Sequence, residues 1–569
     1  MMSEAVSFQD PGLLRGSAGS GAAFFVAVCQ RILSGLVPGR WGVRRRAAGA
    51  GMRHSAILLI LASLLLALPL PAAGDAEDPV SYGDLPGEFR QKWEDLLHYD
   101  HGRSLIEPGS SFFLSPEGWR DPAAELAATL SAFGSDPDAW CQYPARQYLI
   151  YGFLPAVSRC ADFDTYQQNI SPESFSVVFA AEDETSPVSS MGHVFLMIQG
   201  TNSHGIMKRH SFGFVADTEG ASSLLLQFLT GSITGRYTLS PYDNSIYTYV
   251  SEERRSLWEY PLDLAKQERD LLYLHLFELK IHPVKYSFFT HNCATGLSRV
   301  MAVARPALWV GDDRLFVTPA GFARHAYETA GTGEAVLRPA ESDMILAREG
   351  MGADPLKAPR PTRISLGYLH DSTAGSGLAF DLLPLYGDMT EDWSSASKLS
   401  QIQALRIQGQ ITRSAFTLTE VKLVGIDSYP DLFRESFKIN FGAEFHGSLR
   451  RERTSLHPDV HGGLGFSRLS PNWVPLFRAD GGVYFSPGRP DPYLRLQGGL
   501  MFRGNFGRMV LLGEQCFAGS RGCRGAVRAL HASYSRQLAE SLWLRVEGSG
   551  YRGSGGNFAR ITAGLSYRF

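Results

Sequence analysis

In the last third of the chain, apolar and polar residues alternate with the two-residue period of a β-strand. Phe437, Ile439, Phe441, Ala443 and Phe445 alternate with Ser436, Lys438, Asn440, Gly442 and Glu444. Leu494, Leu496, Gly498, Leu500 and Phe502 alternate with Arg495, Gln497, Gly499 and Met501, and the chain ends on Ile561, Ala563, Leu565, Tyr567 and Phe569 against Arg560, Thr562, Gly564, Ser566 and Arg568. Roughly ten to twelve such segments of about ten residues, joined by turn residues, predict an antiparallel transmembrane β-barrel with a lipid-facing wall and a polar lumen. A soluble β-sandwich has the same period. The repetition favours the barrel, because closure removes the open sheet edge that lipid does not tolerate.

Upstream the period changes. Phe89, Trp93, Leu96 and Leu97 recur at helical spacing, and 123–133 forms a second helical stretch, so residues 77–165 read as a helical cap region. Short β-branched and aromatic runs follow at 175–179, 194–198 and 212–215, then a helical stripe of Leu264, Leu271, Leu272, His275, Leu276 and Leu279. These predict an α+β domain over 166–335. Pro339, Pro355, Pro359 and Pro361 punctuate a linker over 336–362, which leaves 363–569 for the barrel.

Residues 1–76 form an N-terminal extension and signal peptide. Arg44, Arg45 and Arg46, then Arg53 and His54, precede an apolar run over 56–68 and small residues at 72–76, the order of a secretory signal. The run is shorter than the roughly 20 residues that span a bilayer. Signal peptides seldom begin so far into a chain, which makes Met52 a candidate start. The terminal aromatic strand ending in Phe569 resembles the recognition signal of outer-membrane proteins. The barrel is expected in the outer membrane and the preceding domains in the periplasm.

The chain has 569 residues, a formal net charge of −3 and 44% hydrophobic residues. It is too long for one ordinary domain and lacks the basic excess of a nucleic-acid binder. In an oxidising compartment cysteines are expected to pair. Cys141 with Cys160, and Cys516 with Cys523 across a Gly-containing loop, are disulfide candidates, which leaves Cys293 as a free thiol. No metal site is expected: His275, His282 and His291 lack Cys or carboxylate partners at useful intervals. No cofactor is called for.

Two stretches carry candidate chemistry: Ser190-Met191-Gly192-His193 at the mouth of an apolar strand, and Thr290-His291-Asn292-Cys293-Ala294-Thr295, where the cysteine opens a helix over 294–302. A thiol at a helix N-terminus feels the positive end of the macrodipole, which favours thiolate. A nearby imidazole serves as partner and general base. A structural histidine and an inert buried cysteine are the plain alternatives.

Several spaced motifs tip this balance. Gly192-His193, Ser240-Pro241-Tyr242, Tyr249, Glu253-Arg254-Arg255, Trp258, Glu268 and 286–295 resemble, in order, the Lnb-type N-terminal periplasmic domain. Asp121-Pro122, Glu125-Leu126, Cys141 and Tyr143-Pro144-Ala145-Arg146 are similar to the cap that accompanies such domains. The resemblance implies a permuted papain-like thiol-enzyme domain in which Cys293 is the nucleophile and His193 the base. Asp217 and His210 are the candidates for the third group, and Asn292 and Ser190 for substrate binding. The expected activity is transfer of an acyl chain from phospholipid to an amine such as a lipoprotein N-terminus, through a thioester. The rivals are a cysteine peptidase or amidase acting on cell wall or protein, and a non-enzymatic barrel scaffold.

Overall fold

The computed structural model describes residues 82–569 except 156–159, 183–190, 218–232, 281, 288–289, 312–315, 342, 345–353, 358, 386–388, 392–398, 413–415, 434–438, 448–455, 471, 487–488, 519–525 and 554–555. The signal-peptide reading lies outside the described residues.

The amphipathic spacing around Trp93 forms α1 (Gly87–Leu96), with Trp93, Leu96 and Leu97 fully buried. A two-residue ladder, β1 (Tyr99–Asp100) with β2 (Arg103–Ser104), follows. α2 (Pro122–Ser135) starts where Asp121 accepts the Ala123 and Ala124 N–H groups at 3.0 Å each, with Pro122 at the first helical position. α3 (Pro144–Tyr151) ends on Gly152 at φ 79°, a left-handed helix stop. α4 (Ala161–Asn169) leads into the sheet.

The sheet is antiparallel throughout and has seven strands in the order β8 (Pro283–Tyr286), β6 (Ile233–Pro241), β5 (Met207–Ala216), β4 (His193–Thr201), β3 (Ser171–Ala180), β7 (Leu257–Leu262), β9 (Val336–Arg338). The β9 edge takes residues of the Pro-punctuated stretch into the domain. α5 (Tyr242–Ile246), α6 (Lys266–Leu279), α7 (Cys293–Ala304) and α8 (Pro319–Ala330) complete it. The cap region has no core of its own: Trp93, Trp140 and Phe163 share one cluster with Phe175, Leu272 and Val300. A buried ion network ties the two together. Arg146 donates to Glu125 at 2.5 Å and to the Phe112 carbonyl at 2.6 Å, while Glu278 of α6 accepts the Ala145 and Arg146 N–H groups at 2.7 and 3.0 Å.

Twelve strands then close a barrel from β10 (Arg363–Asp371) to β21 (Gly556–Arg568), which pair with each other from Arg363↔Arg568 to Asp371↔Arg560. Polarity is reversed relative to a soluble core. Leu366, Tyr368, Leu494, Ile561, Leu565 and Tyr567 are exposed, whereas Arg363, Asp480, His446 and Arg568 are buried. Only a hydrocarbon surround makes that arrangement favourable, so the outer wall faces lipid. At the end where the chain enters, beyond β11 (Gly375–Leu383), Met389 and Thr390 line the lumen. Glu391, fully buried, accepts Arg363 and Arg545 at 2.8 Å each and pairs with Arg568. Met389 beside it packs on Tyr429, Leu469 and Val510.

Candidate functional site: a buried thiol beside a strand histidine

Gly192 explains why a histidine stands at the start of β4. Its φ is +78°, and a Cβ there would lie 2.7 Å from the Ala180 carbonyl oxygen and 2.6 Å from the Phe179 ring. Only glycine fits that approach, and it turns the chain so that His193 pairs with Ala180 as the first residue of β4. The imidazole stacks on Tyr249 and Phe195, centroids 6.1 Å away in each case. Burial first, then the Arg255 guanidinium, holds the ring neutral, well below the ordinary imidazole value.

Cys293 occupies the first turn of α7, as its motif predicts. Asn292 is the cap: its Oδ1 accepts the Ala294 and Thr295 N–H groups at 2.9 and 3.1 Å, and its Nδ2 donates to the Val317 carbonyl at 3.0 Å. The sulfur faces the peptide N–H of Val194, next to His193, as well as the N–H groups of Ala294 and of Cys293 itself. Two residues remote in sequence are thus brought together by β4 and α7. The thiol is free and buried. Burial pushes it up to about 11, against the downward pull of those N–H groups and of Arg255. The dipole argument places the thiol correctly, but desolvation outweighs it. At rest the pair is thiol and imidazole rather than thiolate and imidazolium.

The other sequence candidates fall elsewhere. The Asp217 N–H donates to the Thr234 carbonyl at 2.8 Å, and its carboxylate lies 3.6 Å from Arg236, on the β5–β6 side. His210 pairs with Ile198 and Pro241, five residues along β4 from His193, about 16 Å at the strand rise. Asn292 spends its side chain on the helix start, and Ser190 lies outside the described residues. Cys141 and Cys160 form a disulfide with Cα atoms 5.1 Å apart. Cys516 is disulfide-bonded, and Cys523 lies outside the described residues.

Sequence reasoning passed over the groups that do surround the pair. Tyr249 stacks between His193 and Phe195, and Arg255 lies 5.2 Å over its ring. The Tyr286 hydroxyl faces the Cys293 N–H. Their signal was present, since all three fall inside the quoted motifs, but spacing alone assigns them no task. Met191 packs against Leu385, Ile402, Ala404 and Ile426 of the barrel, with Phe316 alongside. His275 is fully buried, its Nε2 3.1 Å from that of His98. Among the described residues one group has metal-like spacing, Glu420, Glu444 and His446 in the barrel, with ligand atoms within 4.8 Å. There the register of β13 (Phe416–Ser428) on β14 (Ile439–Gly447) also sets Lys422 3.1 Å from Glu444, so an ion-pair network accounts for it.

Residues 162–327 match the family model of the Lnb N-terminal periplasmic domain. This part of the chain is an Lnb-type domain. Residues 88–151, ahead of it, match a domain of unknown function, DUF7843. No curated protein matches the chain. Similar solved structures include the outer membrane protein Omp33 of Acinetobacter baumannii, at 9% identity over 37% of this chain and 100% of that one, with a TM-score of 0.22. Outer membrane phospholipase A from Escherichia coli is 14% identical over 38% of this chain and 93% of that one, with a TM-score of 0.23. The family match and the closed barrel with its apolar outer wall together give an Lnb-type periplasmic domain fused to an outer-membrane β-barrel.

Proposed function

We propose that the Lnb-type domain is a cysteine acyltransferase that takes an acyl chain from phospholipid and passes it to an amine such as a lipoprotein N-terminus. The observation that carries this reading is the free Cys293 sulfur at the start of α7, held against the peptide that follows His193. Because thiol and imidazole are both neutral at rest, deprotonation coincides with attack. The sulfur adds to the ester carbonyl, and its proton passes through His193 to the departing alkoxide, leaving a thioester and a lysophospholipid. The amine then attacks the thioester, His193 removes its proton, and the thiol is restored as the amide forms.

Two features favour lipid over cell wall. The thiol sits among apolar side chains, where a hydrated glycan would have to shed its water. Met191, two residues from His193, lies against the barrel wall, so that substrate and site share a membrane surface. Mass spectrometry of the purified protein after exposure to phospholipid vesicles is expected to find an acyl adduct on Cys293 that disappears in Cys293→Ala. An unmodified Cys293, with cleavage of peptide substrates, would instead support a peptidase or amidase. Full activity of Cys293→Ala in both assays would leave a scaffold.

A further inference from the structure

We propose that Arg255 is the positioning residue of this thiol: an immobile, buried positive charge that favours the anionic sulfur during attack and keeps His193 a neutral proton relay. The proposal rests on the reading of Cys293 as a nucleophile and deepens it.

The backbone places the charge deliberately. A π-helical turn, Tyr247–Glu252, is followed by Arg254 at φ 54°, a left-handed conformation that costs energy in a residue with a side chain. That kink swings Arg255 inward, where it is 2% exposed. Its Nε donates to the Ala181 carbonyl at 2.6 Å, one Nη to the Ala180 carbonyl at 3.3 Å, and the other Nη to Glu253 at 2.6 Å. Ala180 is the residue paired with His193 across β3 and β4, so the guanidinium grips the strand position that carries the base. Its face covers Tyr249, whose ring stacks on His193.

The guanidinium is held too firmly to reach substrate, and it neither gives nor takes a proton. It acts through its field. His193, Tyr249 and Cys293 all feel it, in the directions that disfavour imidazolium and favour thiolate. Among the described residues, the charged or titratable groups that act on the sulfur are Tyr249 and Arg255 from the turn before β7 and Tyr286 from β8, with His193 preceding the Val194 N–H that faces it. Among the described residues, Glu253 is the carboxylate that pairs with the guanidinium and partly offsets it, and its side chain is 35% exposed. A carboxylate beside His193 would favour a standing ion pair. A cation there opposes one, and the thiolate arises only as it attacks.

The test uses the full chain in detergent micelles and iodoacetamide as the probe, following alkylation of the Cys293 peptide by mass spectrometry from pH 5 to pH 10. Wild type is expected to react along a single rise with pH, without a reactive plateau on the acid side. Arg255→Met shifts that rise upward, slowing alkylation at pH 8 about tenfold, the effect of one unit in the thiol ionisation. Arg255→Lys keeps the charge but not the fork and restores most of the rate, although both variants lose the donors to Ala180 and Ala181 and unfold more readily. Glu253→Gln removes the surface carboxylate, speeds alkylation a few-fold and supplies an answer should Arg255→Met fail to fold. Superimposable profiles for wild type and Glu253→Gln, a Lys variant as slow as the Met variant, or a reactive plateau near pH 5 in wild type would each overturn the proposal. Trapping of the acyl adduct in the same samples separates the two readings: shifted profiles without an adduct keep the role of Arg255 and remove acyl transfer, and an adduct with unshifted profiles does the reverse.

Discussion

Both halves of the molecule bury paired charges, Arg146 with Glu125 in one and Glu391 with its arginines in the other, but only the Lnb-type domain adds a second way. In the barrel, buried acidic and basic side chains pair with one another, as Glu391 does with Arg363, Arg545 and Arg568. In the Lnb-type domain, Cys293, His193 and the His98–His275 pair are desolvated without a counter-ion, and burial drives them to their neutral forms. A paired charge is a structural fixture, while an unpaired neutral group close to ionising is chemically available.

The largest expected effect breaks the barrel side of this contrast. Glu391→Ala removes the carboxylate that Arg363, Arg545 and Arg568 share, leaving Arg363 with Asp381 and Arg545 with Glu547, at a cost of up to about 3–5 kcal/mol, the range for breaking a buried ion pair. The temperature at which the barrel loses its folded mobility on a denaturing gel is expected to fall steeply. Adding Arg545→Met should recover part of the loss, since the pair removed together costs less than either partner alone. An unchanged transition in Glu391→Ala would mean that lumen water already screens these charges, and the contrast with the domain would lapse.

On the domain side, the expected effect is acid lability. His275 is held down at about 3 by burial, chiefly, and then by Arg146, and His98 well below its usual value by burial and by His275. Both folded-state values are depressed, so the unfolded chain takes up protons that the folded domain refuses. Stability is intact above about pH 6.5 and falls as pH drops below it, by up to about 1.4 kcal/mol per pH unit for each histidine. Thermal unfolding followed by near-ultraviolet circular dichroism should show this limb between pH 6.5 and pH 4. His98→Asn with His275→Asn should flatten it. A limb that persists unchanged would assign the acid sensitivity to other groups, such as His282.

The same contrast governs what could be read from sequence. The barrel's alternation recurs in every strand, so errors at single residues cancel, and Leu494, Ile561 and Tyr567 take the outward face that the period gives them. The Cys293 and His193 pairing came from motifs in which glycine and asparagine have strict backbone tasks, at Gly192 and Asn292. Asp217 was beyond reach because it depended on extending a strand pairing through an unseen turn. The observed β4–β5 register, from Phe195↔Gly213 to Thr201↔Met207, brings Val215 rather than Asp217 to the level of His193. Arg255 was invisible for another reason: its role depends on the kink at Arg254 and on the Ala180 and Ala181 carbonyls at and just past the end of β3, which no spacing rule connects to it. The stretch Met389–Glu391 has no periodicity, and only closure of the barrel assembles its arginines from both ends of the sheet.

The smallest expected effect concerns the residue that joins fold and chemistry. Asn292→Ala removes the cap oxygen from the Ala294 and Thr295 N–H groups, at about 1–2 kcal/mol, and deprives the Val317 carbonyl of its donor. Asn292→Asp keeps the cap oxygen and suits the helix dipole, so on stability alone it should be the milder change. Its negative charge, however, lies one residue from the sulfur, where it opposes the thiolate. The two variants should therefore rank in opposite order: Ala worse in thermal unfolding, Asp worse in alkylation of Cys293 at pH 8. Identical ranking in both measurements would mean that the start of α7 only holds the thiol in place, leaving its ionisation to the surrounding burial.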